Sequence, residues 1–338
     1  MRGWRRFALV VGSLLPLLAI AAPAKPAGPA SQDKAAQADN QALLAFQRDL
    51  VSVVAPRADA LPLLGAALLA RPLVDQPKYN TFHSLIERAA AAPGHGPAVS
   101  WLRLADCDAQ AGACPNPGAL AALVQEAPDN AAVWLLKLGQ DAHDLKPKDA
   151  RADLARAAAA KLYDDYTGSS LQALASTATT LPPPKEAVAA AGSATGVQVM
   201  LVFGLAGTQP QPGLPAVARL CEGARDDQAL KDDCLKLGKT LEWGSSPLAR
   251  SLGLHLRETL AAEPAEQEEA RRTRRELVWQ VQSFAQLSAR APTDPALAQH
   301  LLALARRGGT EMSLLLAALR DNSLPVSPPS DWQPHATE

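Results

Sequence analysis

The sequence predicts an all-α protein, an irregular right-handed solenoid of antiparallel helix hairpins with no sheet, on three observations. The chain matches itself at an offset of 34 residues: Ala98-Val99 falls on Ala132-Val133, and Leu102-Arg103-Leu104-Ala105-Asp106 falls on Leu136-Lys137-Leu138-Gly139-Gln140. That period is the length of a stacked two-helix unit. Apolar residues recur at helical spacing between proline and glycine breaks. The few Val-rich runs are too short for strands or sit in helical context.

The chain opens with MRGWRR, then an apolar run of about 15 residues, FALVVGSLLPLLAIA, then Ala22-Pro23-Ala24. A basic start, a run shorter than the ~20 residues of a span, and an A-x-A site describe a cleaved secretory signal peptide over residues 1–24. No cysteine follows the site, which excludes a lipid anchor there. Removal of Arg2, Arg5 and Arg6 with this segment shifts the net charge from −1 to −4. That balance makes no case for binding nucleic acid or an anionic bilayer. The expected location is the periplasm or the extracellular medium. All four cysteines (Cys107, Cys114, Cys221, Cys234) fall in the mature chain. In an oxidising compartment proximity pairs Cys107 with Cys114 and Cys221 with Cys234. A zinc site is disfavoured, because no C-x-x-C occurs and no histidine lies near either pair.

Residues 25–40 are Pro-, Ala- and polar-rich and read as a disordered leader, with order starting near Gln41. Leu43, Phe46, Leu50, Val51 and Val54 give the first buried stripe, and Pro56 ends it. A second helix is expected from Ala58 to Arg71, and a third after an Asn80-Thr81 cap. Helices then follow from Pro97, Pro117, the Pro128-Asp129-Asn130 break, and Lys146-Pro147. Leu138-Gly139 resembles the Leu-Gly pair of the tetratricopeptide repeat, and Pro128 resembles the proline that closes one of its units. Ala150, Leu154 and Ala157 supply that family's small and apolar positions one residue out of register, and its helix-A tyrosine is absent. The likeness covers about one and a half units. It implies stacked hairpins with a partner-binding face and no chemistry. The chain also resembles alanine-rich exported proteobacterial proteins of unknown function that carry this Cys, PDN-AA-VW and YD-Y pattern.

Pro182-Pro183-Pro184 is the strongest internal break and divides a repeat region (41–181) from a second helical region (185–322). Ala187–Gly207 carries no charge and reads as one buried helix rather than a membrane span, since four glycines and Gln198 dilute it. Further helices are expected near 214–224, 227–242, 246–262, across the charged run 263–276 and beyond, then at 294–306 and 310–320. A bridge from Cys221 to Cys234 would clamp a helical hairpin. The tail, 323–338, is proline-rich and irregular.

No catalytic motif, Walker loop or dinucleotide fingerprint is present, so no cofactor or metal is expected. His83 and Glu87 share a helix face, His255 and Glu258 are three apart, and His143-Asp144 sits at a helix end; all read as surface pairs. The best functional candidate is Tyr163-Asp164-Asp165-Tyr166. Aromatics beside acids at a helix junction line a groove, or else the tyrosines plug the junction while the aspartates cap the next helix. Trp101, Trp134, Trp243 and Trp279 read as packing residues, and Trp332 as a docking residue or a tail folded back on the body. The expected function is a protein- or peptide-interaction scaffold of the cell envelope. The alternative is an envelope hydrolase acting on glycan or peptide, whose acids converge only in three dimensions.

Overall fold

The computed structural model describes residues 29–107 and 115–334; the signal-peptide reading of residues 1–24 lies outside them. Sixteen α-helices run in the order α1 (Pro29–Val54), α2 (Ala60–Ala70), α3 (Phe82–Ala91), α4 (Pro97–Arg103), α5 (Pro117–Glu126), α6 (Ala131–His143), α7 (Pro147–Ala159) and α8 (Thr167–Ala178). Then come α9 (Lys185–Ala191), α10 (Ala194–Ala206), α11 (Leu214–Glu222), α12 (Gln228–Glu242), α13 (Pro247–Leu260), α14 (Pro264–Arg290), α15 (Pro295–Arg307) and α16 (Glu311–Asp321). No strand occurs among the described residues; Asn130 and Leu162 make one isolated bridge.

Local chemistry sets the helix starts. α4, α5, α7, α13, α14 and α15 each begin on a proline, whose fixed φ suits the first turn and whose missing N–H costs nothing there. Side chains of Thr81, Asn116, Asn130, Ser193, Asp227 and Asp294 accept from backbone N–H groups of the following turn. Thr310 and Ser313 form a reciprocal capping box on α16. α1 starts at Pro29, earlier than the expected onset near Gln41. Alanine and glutamine between Pro29 and Gln41 have high helix propensity, and composition alone understated it.

Asp39–Glu338 forms one packed unit. It holds two hydrophobic cores, each discontinuous in sequence. One joins residues between Phe46 and Leu102 to residues between Leu171 and Leu319. The other joins residues between Trp101 and Tyr166 to residues between Leu214 and Leu260. The divide expected at Pro182–Pro184 is therefore a turn within the first core and not a boundary between two bodies. Hairpins do pair neighbours: α2 with α3, α6 with α7, α12 with α13 and α13 with α14. But α8 packs against α2, α10, α15 and α16. A strict array in which each unit touches only the next does not describe that region.

The uncharged stretch is two helices, not one. Gly192 at φ 86° caps α9 in the left-handed conformation, and the Ser193 hydroxyl accepts from Gly196 N to start α10. α10 is buried on most sides, including Val197, Val199, Leu201 and Val202. No helix of the described residues is long and apolar enough to cross a membrane. The Cys221–Cys234 disulfide is present and ties α11 to α12, with Cα atoms 5.9 Å apart. Cys107 is disulfide-bonded as well; its expected partner, Cys114, lies outside the described residues.

Gly65 lets α2 lie on α8. A Cβ at this position would come within 2.6 Å of the Ala173 carbonyl oxygen. Gly204 on α10 faces open space. Equilibrium urea unfolding should separate the two by sign. Gly65→Ala should lose about 2 kcal/mol, the overpacking cost exceeding the gain in helix propensity. Gly204→Ala should gain up to about 1 kcal/mol. A stabilised Gly65→Ala variant would refute close contact at this crossing.

Candidate functional site

The Tyr163–Tyr166 segment links α7 to α8, and a single side chain organises it. Asn130, buried at the start of α6, accepts from Ala132 N at 3.1 Å and Asp164 N at 2.9 Å. Its Nδ2 donates to the Asp164 carbonyl at 2.7 Å and the Tyr166 hydroxyl at 3.1 Å. Tyr166 itself sits in the left-handed region, at φ 57°. For a residue with a bulky side chain that conformation costs about 1–2 kcal/mol. Two contacts offset it: Tyr166 N donates to Asp164 Oδ1 at 2.9 Å, and the ring stands edge-on to Trp101, centroids 5.4 Å apart.

Asp165 turns the other way. Its N–H donates to Ser245 Oγ, and that hydroxyl donates back to Asp165 Oδ1, both at 3.1 Å. Thr167 N also donates to Asp165 Oδ1. Ser245 N donates to the Tyr163 carbonyl, and Met312 N to the Ser245 carbonyl. Ser245, in the connection between α12 and α13, thus stitches α16 to the segment. The Tyr163 hydroxyl lies beside Ser246 Oγ, both buried and neither in a hydrogen bond of normal geometry. Tyr163 and Tyr166 are buried, so the four residues fill the junction and cap α8, and they do not line an open groove.

Burial governs the protonation states here. It pushes the Tyr163 phenol well up, helped by the Asp165 charge, and raises Tyr166 to about 12 despite the Asn130 hydrogen bond. Asp164 is raised, also by burial. Glu311, the first residue of α16, is lifted to about 7 by burial and then by repulsion from Asp165. No sequence signal pairs Glu311 with Asp165; a helix start and a loop far apart in the chain meet where Met312 N bonds the Ser245 carbonyl and Gly168 lies against Gly309.

The other predicted residues disperse. His83 Nδ1 pairs with Asp106 Oδ2 at 2.8 Å, and Glu87 pairs with Arg103. Burial and nearby Arg274 lower the His255 pKa, while Glu258 binds Arg271 and Arg274. Trp101 is fully buried, and Trp134 donates to the Pro128 carbonyl beneath the Arg156 guanidinium. Trp243 is 77% exposed, against the packing role expected for it. It follows the last turn of α12, where the helical stripe that would have turned it inward has ended. No cluster of His, Cys, Asp or Glu suited to a metal occurs among the described residues.

One cleft was not marked by the sequence. It has a volume of about 990 Å³ and lies between Arg71, the Lys78–Asn80 turn, α3 and the coil at Ala105–Cys107. Tyr79 is 74% exposed on its edge. Arg71 lies over the Phe82 ring and donates to the Thr208 carbonyl, and Arg88 donates to the carbonyls of Ala55 and Arg57. Carbonyls orient these guanidinium groups without neutralising them. Among the described residues Arg71, Lys78 and Arg88 form no salt bridge with a carboxylate. The only hint in the sequence is Tyr79, an aromatic just past the proline-bounded connection Pro72–Pro77. No family model, curated protein or solved structure matches this chain.

Glu311 makes stability pH-dependent with a defined sign. Below its ordinary value of 4.5 the carboxyl is protonated folded and unfolded alike, and has no effect. As pH rises from 4.5 to about 7, the unfolded chain releases the proton first, so the fold loses stability, fully so above 7. Glu311→Gln should remove a penalty of up to roughly 3 kcal/mol, less solvent screening. Urea midpoints should differ between variant and parent at pH 8 and coincide at pH 4. Coinciding midpoints at both pH values would contradict the burial of this carboxyl.

Proposed function

We propose that this protein is an exported interaction scaffold of the cell envelope that takes a carboxylate-bearing protein or peptide segment in the cleft beside α3. Export rests on the hydrophobic start of the sequence, and the Cys221–Cys234 disulfide fits an oxidising compartment. The observation that carries the reading is the cleft itself: three cations without carboxylate partners among the described residues, beside the Tyr79 and Phe82 rings. Carboxylates of a partner would meet guanidinium forks already aimed by backbone carbonyls, so little side-chain entropy remains to be lost. The rings supply apolar contact. The packed α2–α3 hairpin beside the cleft holds it on rigid elements.

A second reading, an envelope hydrolase, draws on Glu311 and Asp165. An acid protonated near neutral pH beside another carboxyl is the pairing that general acid–base chemistry uses. The burial of Tyr163 and Tyr166 over that pair favours the scaffold.

Lys78 and Tyr79 are exposed, so Lys78→Glu/Tyr79→Ala should leave folding intact. Mature wild-type protein, crosslinked in its own envelope extract, should yield a discrete partner species. The double variant should yield it at least about tenfold less efficiently. Equal yields from both proteins would remove the cleft from the contact. Breakdown of peptidoglycan or peptide by the wild type, lost in Glu311→Gln, would replace the scaffold reading with the hydrolase.

A further inference from the structure

The tail after α16 is held by α14 in a way that differs from core packing. Trp279 Nε1 donates to the Pro325 carbonyl at 2.8 Å, and Gln280 Nε2 to the Val326 carbonyl at 3.0 Å. One turn earlier, Arg275 Nη2 donates to the carbonyls of Pro329 and Ser330, each at 3.2 Å, and to that of Trp332. The Trp332 ring meets Trp279 edge-on with centroids 5.4 Å apart, and the Arg275 guanidinium lies 5.8 Å from its centre. Arg275 and Trp279, four residues apart, share a face of α14, Gln280 flanks Trp279, and all three reach the same tail as one strip. Their partners are almost all backbone carbonyls. Pro325, Val326, Ser327, Pro329, Ser330 and Asp331 themselves stay exposed.

A proline-rich chain leaves most of its carbonyls unpaired, because proline has no N–H; in the described tail from Pro325 the one internal backbone bond runs from Trp332 N to the Pro329 carbonyl, across a turn. An indole N–H, an amide and a guanidinium in a row therefore match such a chain, while an aromatic contact fixes its register. The tail also adds little to the hydrophobic core: Leu324 packs there, and the prolines beyond it do not. The Arg275 Nε is buried without a hydrogen-bond partner, so the strip keeps donor capacity that this tail does not use.

We propose that the Arg275–Trp279–Gln280 strip is a recognition site for a proline-rich peptide that makes a turn into a tryptophan, which residues 325–332 occupy in cis and which a segment of that chemistry from a partner protein takes over by displacing them. The tether raises the local concentration of the tail, so the site is closed to weak competitors until the Trp332 anchor is lost or outcompeted. The proposal shares no residue with the cleft beside α3 and stands or falls separately from it.

The test uses full-length protein and a fluorescein-labelled peptide of sequence SLPVSPPSDWQP, which copies residues 323–334. Fluorescence polarisation should show Trp332→Ala binding the peptide at least about tenfold more tightly than wild type, because the cis competitor has lost its anchor. Arg275→Ala/Trp332→Ala should lose that gain, and a peptide with its prolines changed to alanine should bind about tenfold less well. Circular dichroism melting checks that each variant is folded. Should Trp332→Ala misfold, wild-type protein with a protease site inserted after Asn322 can be folded first and then cut, and the same peptide exchanged against the freed tail. No saturable binding to folded Trp332→Ala or to the cut protein, or binding indifferent to Arg275, overturns the proposal.

Discussion

Close approach of backbones around α8 is the constraint on which the rest of the structure depends. Gly65 brings α2 against the Ala173 carbonyl, and at the other end Gly168 leaves no room for a side chain beside the Gly309 carbonyl. Gly168, Ser170, Leu171, Ala173, Leu174, Ala175, Thr177 and Ala178 are all buried, so α8 is enclosed on most of its circumference. Small residues let helices gain dispersion contacts along their backbones, where larger side chains would hold them apart. The same economy explains the few large residues. Trp101 and Tyr166 fill the gap beside the α8 start, and the left-handed Tyr166 that begins the helix is held there by Asn130 and Asp164.

That arrangement separates what was legible in the sequence from what was not. Helix starts were legible because proline, asparagine, aspartate and serine act on the next three N–H groups, a local interaction. The α11–α12 clamp was legible because Cys221 and Cys234 lie in adjacent helices. The role of α8 was not. Its TGSSLQALASTA run has small residues on every face, and such a pattern does not say which neighbours will cover it. The partners turn out to be α10 and, across long stretches of chain, α2, α15 and α16. For the same reason Pro182–Pro184 looked like a boundary: local stiffness was visible, but the core that continues across it was not.

The candidate site shows a similar division. Tyr163–Tyr166 stood out by composition, and the structure places those residues at a buried junction whose hydrogen bonds all have structural partners, save the Tyr163 hydroxyl. The surfaces proposed for recognition come from residues that the sequence did not single out for it: Lys78 and Tyr79 in a connection, Arg275 and Gln280 on a charged helix, and Trp279, which was expected to pack. Trp332 lay between two readings in the sequence and is resolved by its contact with Trp279. A rigid body built on backbone contacts holds Arg275, Trp279 and Gln280 on a helix, where side-chain positions are set more narrowly than on free loops, and Lys78 and Tyr79 in a short turn beside α3.

Amide hydrogen exchange of the full chain, resolved by peptide, tests the central role of α8 most directly. If its neighbours enclose α8 as described, its amides exchange only through global unfolding and are among the slowest in the protein, with a urea dependence equal to that of the whole molecule. Exchange in α8 that is as fast as in the peripheral α5, with little urea dependence, would show local opening of this helix and would contradict the account.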